Sequence, residues 1–253
     1  MKNLLKLLRE NGHVERAPLN FAKNETGEAV MYLYDVISDG DGWGIGALDV
    51  INALSQVEKG GTVRMRIKSP GGDVMEAKAI VTAMREFIAN GGKIIAQIDS
   101  VAASCASWIA MTASEVEIAE GAFIMIHRAS GGAFGTADEL TKMANVITMV
   151  ENSIVDLYAA ISKQPAAQVQ QWMAAETWFT ADEAVANGFA SKVTHRLADL
   201  PTNLAKLTWN LSAYDKVPEA LKNVKPPEPS PELDVAAIVE NNRRRLRLLD
   251  TNA

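Results

Sequence analysis

Ser104 stands in a run of small residues, Ala102, Ala103, Ser104, Cys105, Ala106 and Ser107, between two other segments that can take part in acyl transfer. Upstream lie Ser69, Pro70, Gly71, Gly72 and Asp73, where a proline presets φ and the glycines leave backbone amides accessible. Downstream, Met125 and Ile126 lead into His127, one of three histidines in the chain with His13 and His195. A hydroxyl nucleophile, an imidazole base and exposed N–H donors together make the equipment of nucleophilic acyl transfer. Each part also has a plainer reading. The small run suits a closely packed helix face, His127 a satisfied core side chain, and the glycines an ordinary turn. The ordered set of three, each at the end of an apolar strand-like segment, favours the chemistry. Cys105 is a second candidate nucleophile, but its place beside Ser104 suits a backbone amide donor with a small buried side chain.

The elements needed to position these residues alternate along the chain. Residues 29–37 carry the β-branched and aromatic side chains of a strand and run into a Gly/Asp-rich loop at 38–46. Asp39 and Asp41 there suggest a calcium loop, but the downstream bidentate glutamate of an EF-hand is missing, so a solvated turn is expected. A helix is expected over 48–57, a strand over 62–67, a helix over 74–90 and a strand over 93–98. A helix over 102–113 then lies behind Ser104, followed by a strand over 122–126 before His127. Repeated strand–helix units imply an α/β fold with a mostly parallel sheet and right-handed crossovers, which puts functional residues at strand ends. Residues 137–162 form a long helix with Leu140, Met143, Ile147, Met149, Val150, Ile154, Leu157 and Ile161, a stripe suited to packing.

Composition limits the function classes. The chain has 253 residues, of which 48% are hydrophobic, enough for one sizeable core, and its net charge of −6 argues against a nucleic-acid-coating surface. A single cysteine allows no intramolecular disulfide and fits a reducing, cytoplasmic compartment. No stretch approaches the ~20 apolar residues that cross a bilayer, and residues 1–9, leucine-rich but interrupted by charges, read as an amphipathic helical turn rather than a secretory signal. Neither a Gly-x-Gly-x-x-Gly motif nor a Walker-type lysine loop stands at a strand–helix junction, so ATP binding by the chain itself is not expected.

With these motifs in order, the sequence resembles the ClpP-type serine peptidases, and within them the phage and prophage head maturation proteases, over roughly residues 28–195. The resemblance implies a ClpP/crotonase-type β-α superhelix with a long projecting helix, the handle that joins two rings. It makes Ser104 the nucleophile and His127 the general base, with Gly72 and Cys105 donating the oxyanion-hole amides. Gly71, Asp73 and Val74 on one side, and Gly131 and Gly132 on the other, correspond to backbone that pairs with an extended peptide. Trp178 to Ser191 resembles the closing segment of the family. Gap-free matching there places Glu176 where better-known members carry the aspartate of the triad, on a stem one methylene longer. No metal or organic cofactor is implied. The partners implied are a peptide or protein substrate and further copies in a homo-oligomeric ring; a phage scaffold or capsid protein, or an ATP-driven unfoldase, could also take part, in the cytoplasm or inside a phage prohead.

The chain therefore divides into an N-terminal segment at 1–27, a peptidase domain at 28–196, a linker at 197–231 and a C-terminal helical tail at 232–253. The linker ends in a proline-rich stretch at 225–231, and the tail carries Arg243, Arg244, Arg245 and Arg247, which suit a helix C-terminus or a docking contact. Two other function classes remain open at this level: a crotonase-like acyl-CoA enzyme, which shares the superhelix and a two-amide oxyanion hole, and a catalytically silent structural ring.

Overall fold

The computed structural model describes residues 6, 7, 9–11, 19–24, 28–38, 44–195 and 209–222. The loop around Asp39 and Asp41, the proline-rich stretch and the arginine-rich tail lie outside these residues.

Five strands form the parallel body of the sheet: β2 (Ala29–Leu33), β3 (Thr62–Ser69), β4 (Lys93–Ala103), β5 (Glu115–Ala119) and β8 (Lys192–Thr194), hydrogen-bonded in that order. β1 (Asn20–Lys23) closes one edge antiparallel to β2. The apolar runs of β3 and β4 are buried on both faces, as a parallel sheet requires. Helices α1 (Ala47–Ser55), α2 (Val74–Ala89) and α3 (Cys105–Thr112) make the crossovers and pack Val50, Ile80, Met84 and Ile109 against Met65, Ile67, Ile94 and Ile98. This is the expected α/β superhelix.

β4 is longer than the sequence pattern indicated. Its first half pairs with β5 through Ile95 to Ile98, and its second half pairs with β6 (Phe123–Ile126) through Val101, Ala102 and Ala103. Ala102 and Ala103 are therefore strand residues, not the first turn of a helix, and α3 begins only at Cys105. Alanine is a strong helix former, but tertiary pairing prevails here. Ala102 joins the main core, whereas Val101 and Ala103 face a second apolar cluster on the other side of the sheet with Leu7, Val36, Met125, Trp209, Leu211, Tyr214 and Val217. Both faces of this strand end are dry, so small apolar residues fit and helix propensity does not decide.

After β6 an irregular segment leads to α4 (Ala137–Ser162), capped by the Thr136 hydroxyl, which accepts from the Glu139 amide. The C-terminal half of α4 packs Ile154, Val155 and Tyr158 into the core, while Leu140, Val146 and Met149 on its N-terminal half are exposed. The long helix projects, as expected. α5 (Ala166–Ala175), β7 (Thr177–Thr180) and α6 (Ala181–Ala186) follow, with β7 antiparallel to β6. A stacked Phe179–Phe189 pair and the edge of Trp172 seal this closing segment. A short α7 (Glu219–Lys222) ends the described chain.

Candidate active site

Ser104 sits at the sharp corner between β4 and α3 with φ 55° and ψ −128°, a backbone conformation rare for a residue with a Cβ. The corner is held on all sides. The Ser104 amide donates to the Met125 carbonyl at 2.9 Å, and its carbonyl accepts from the Ser107 amide at 3.0 Å and the Ser107 hydroxyl at 2.6 Å. Tyr158 of α4 hydrogen-bonds the Ser107 hydroxyl at 2.6 Å, so the projecting helix is rooted beneath Ser104. Strain at one residue is thus over-determined by its neighbours, which throws the Ser104 side chain outward.

That side chain meets His127 at the end of β6, where Nε2 stands 2.7 Å from Ser104 Oγ. The distance is that of a nucleophile–base hydrogen bond. Burial lowers the imidazole pKa from its ordinary value, and the Glu176 carboxylate pushes it back upward. The imidazole is therefore held neutral at neutral pH. Cys105, by contrast, is fully buried, and burial pushes its thiol up to about 12 against the weaker opposing pull of the Gly72 and Cys105 amides. It is held as a thiol, not a thiolate, at neutral pH, which does not suit a nucleophile.

The Pro70–Gly72 turn lies against this corner. A Cβ on Gly71 would stand 2.6 Å from the Ala103 carbonyl oxygen and 3.2 Å from the Cys105 amide nitrogen, so glycine is required for the two backbones to approach. Gly71 and Asp73 are fixed to Ile37, whose amide donates to Gly71 and whose carbonyl accepts from Asp73. Asp73 caps α2 through the Met75 and Glu76 amides. The turn thereby brings the Gly72 backbone beside Cys105 at the N-terminus of α3, whose dipole favours a developing negative charge.

A cleft of about 210 Å³ opens at this point, lined by Gly72, Asp73, Val74, Ser104 and His127 together with Trp108, Ser130 and Tyr214. Of the expected substrate-pairing residues, Asp73 and Val74 line it, and Gly71 supports it from behind. Gly131 and Gly132 lie farther out in an exposed irregular segment, where Gly131 lets the chain approach Ile147 and Met143 of α4. The cleft wall is formed by the preceding Arg128, Ala129 and Ser130. Met75, Trp108 and Tyr214 also line it and carry no motif that marks them in the sequence, and Leu7 of the leucine-rich N-terminal segment and Ile154 of the α4 stripe join them.

Glu176 ends α5 in a left-handed conformation at the entry to β7. Its carboxylate accepts from the Asp215 amide at 3.1 Å, the Lys216 amide at 2.7 Å and the Trp178 indole at 3.3 Å. It acts on His127 through its charge, and the hydrogen bonds it makes go elsewhere. Of the other carboxylates nearby in the sequence pattern, Asp99 is paired with Arg66 at 2.7 Å and accepts from the Tyr34 hydroxyl. Asp156 is exposed on α4. Among the described residues no group of three or more histidine, cysteine or acidic side chains is placed to hold a metal, and no helix is long and apolar enough to cross a membrane.

The family model for Clp protease matches residues 28–196. The chain is 28% identical over 149 residues to "ATP-dependent Clp protease proteolytic subunit 2" of Thermobifida fusca, covering 58% of this chain and 72% of that one. It is 29% identical over 138 residues to "ATP-dependent Clp protease proteolytic subunit 1" of Frankia casuarinae, covering 54% and 63%. To "ATP-dependent Clp protease proteolytic subunit" of Porphyromonas gingivalis it is 27% identical over 145 residues, covering 56% and 64%. In two of these three, the match spans slightly under two thirds of the relative.

Proposed function

This chain belongs to the Clp protease family as a ClpP-type serine peptidase, and from that premise we propose that it hydrolyses peptide bonds through an acyl-enzyme on Ser104. His127 Nε2 takes the hydroxyl proton as Oγ attacks the peptide carbonyl, and the N–H groups of Gly72 and Cys105 receive the oxyanion. The imidazolium then returns the proton to the leaving amine. Water, activated by the same nitrogen, attacks the ester and frees Ser104.

The observation that carries this reading is the 2.7 Å contact between His127 Nε2 and Ser104 Oγ at the mouth of the cleft. A crotonase-like acyl-CoA enzyme has no need of a base on a strained serine. Purified protein is expected to react at Ser104 with a fluorophosphonate and to cleave unstructured peptides, and Ser104→Ala is expected to lose both while keeping its fold. Peptide cleavage by Ser104→Ala at the wild-type rate would overturn the assignment.

We propose further that copies of the chain form a ring, and that the substrate is a scaffold or capsid protein of a phage head, cleaved in the cytoplasm or within the prohead. Exposed apolar side chains on α1 and α4 support assembly, and the ordered Ser104 and His127 motifs resemble the head maturation branch. Co-expression with the scaffold and capsid proteins of a phage head tests this. Cleavage only in the presence of an ATP-driven unfoldase would reassign the chain to general degradation.

A further inference from the structure

Residues 209–217, beyond the part of the chain that the family model matches, lie across the active-site face and are fastened there at three points. At the first, Asn11 and Asn210 exchange hydrogen bonds, side-chain amide to carbonyl at 3.0 Å and backbone amide to side-chain oxygen at 2.7 Å, and Lys6 donates to the Ser212 carbonyl. At the second, the Glu176 carboxylate accepts from the Asp215 and Lys216 amides. The third is Tyr214 itself. Its ring meets the His127 imidazole edge to face, with centroids 5.4 Å apart and planes at 80°, and its hydroxyl donates to the Pro70 carbonyl. One buried side chain therefore touches both the base and the turn that carries the Gly72 amide. The cleft beside Ser104 stays open, with Tyr214 as part of its wall, and the Ser104–His127 hydrogen bond is intact beneath it.

We infer that Tyr214 is a positioning residue of the active site, which fixes the His127 imidazole and the Pro70–Gly72 turn relative to one another, and that Glu176 serves this arrangement by holding the strap that delivers it. The inference rests on the Ser104–His127 reading above. Base and oxyanion donors belong to different strand ends, and reacting groups displaced by about 1 Å can lose ~10²-fold in rate, so a brace across them acts on turnover. The brace also keeps water from the imidazole face. Around His127 the titratable and charged groups are Tyr214 and Glu176, with Cys105 beside Ser104 and with Asp73 and Arg128 on the cleft wall.

The test compares full-length wild type, Tyr214→Phe and Tyr214→Leu by peptide kinetics and by NMR titration of the His127 ring. Tyr214→Leu keeps apolar volume and is expected to lower kcat by about 100-fold with little change in KM. It should also move the imidazole titration and the acid limb of kcat/KM to higher pH, since the ring gains solvent. Tyr214→Phe retains the ring and loses the bond to Pro70, so it should restore the titration while recovering only part of kcat. Wild-type kcat with an unmoved titration in Tyr214→Leu overturns the inference, as does a rise in activity, which would make the strap a plug. If wild type neither reacts at Ser104 nor cleaves peptides, the peptidase reading fails, and the NMR titration still decides whether Tyr214 acts on His127.

Discussion

A Cβ placed on Gly71 would stand 2.8 Å from the Cβ of Ser104, closer than packed carbon atoms come. The turn that presents the Gly72 amide and the corner that presents the Ser104 hydroxyl are thus one packed unit, and the glycine is what lets them touch. Gly71→Ala is expected to lower stability by about 1–3 kcal/mol through overpacking and its positive φ. It should cut turnover by at least ~10²-fold as the oxyanion donors separate. Gly91, with φ 94° and nothing within 4 Å of its missing side chain, is the control. Gly91→Ala should cost stability alone. Urea midpoints and peptide kinetics on the two variants check this, and wild-type turnover in Gly71→Ala would contradict it.

The backbone of Ser104 stores strain for the sake of its outward side chain. Glycine adopts φ 55° and ψ −128° without a Cβ penalty, whereas alanine keeps that penalty. Both substitutions remove the Ser104 hydroxyl, the proposed nucleophile. Ser104→Gly is nevertheless expected to unfold at a higher temperature than Ser104→Ala, by a difference of about 1 kcal/mol. Equal melting temperatures would show that the corner is relaxed.

Cys105 contributes an amide to the proposed mechanism, and its thiol is buried and protonated. Cys105→Ala is therefore expected to retain peptidase activity within a few-fold and to lose about 1 kcal/mol or slightly more from the small cavity. Iodoacetamide at neutral pH should leave wild-type activity unchanged. A loss as severe as that in Ser104→Ala would return the thiol to candidacy.

Much of this site was legible because its residues carry local signals. Pro70, Gly71 and Gly72 declare a turn with positive φ, and His127 follows an apolar strand. Ser104 sits among residues too small to obstruct it. The boundary between β4 and α3 was not legible, since Ala102 and Ala103 favour a helix by propensity and are strand only because β6 pairs with them. The Glu115–Ala119 strand carries no clear local signal for a related reason. It is short, and its pairing with both β4 and β8 is what fixes it. Tyr214 had no signal at all. It lies 87 residues beyond His127 in a segment without periodicity, and only folding brings the two rings to 5.4 Å.

Leu140, Val146 and Met149 on α4 are 47%, 41% and 66% exposed, more apolar surface than a helix facing only water gains from. Light scattering is expected to find a large oligomer at micromolar concentration. Leu140→Glu combined with Met149→Glu should shrink the particle without lowering the helix content. A wild-type monomer with full activity would count against assembly through this helix.

The last expectation concerns how Glu176 reaches His127. A carboxylate hydrogen-bonded directly to the imidazole fixes its tautomer, and losing that role costs ~10⁴ in turnover. Here the hydrogen bonds of Glu176 go to the Asp215 and Lys216 amides and to Trp178, and its charge alone raises the imidazole pKa against the lowering effect of burial. The base works when neutral, so kcat/KM rises as pH increases through its pKa, and the wild-type acid limb should sit below the ordinary histidine range. Glu176→Gln keeps an oxygen for the strap and removes the charge. The acid limb should then move to lower pH, because nothing offsets burial, and turnover at neutral pH should fall by about tenfold as the imidazolium loses its anionic neighbour. A ~10⁴-fold collapse would instead identify Glu176 as a direct partner of the ring. A limb that moves to higher pH would mean that the substitution had released the strap and let water reach His127.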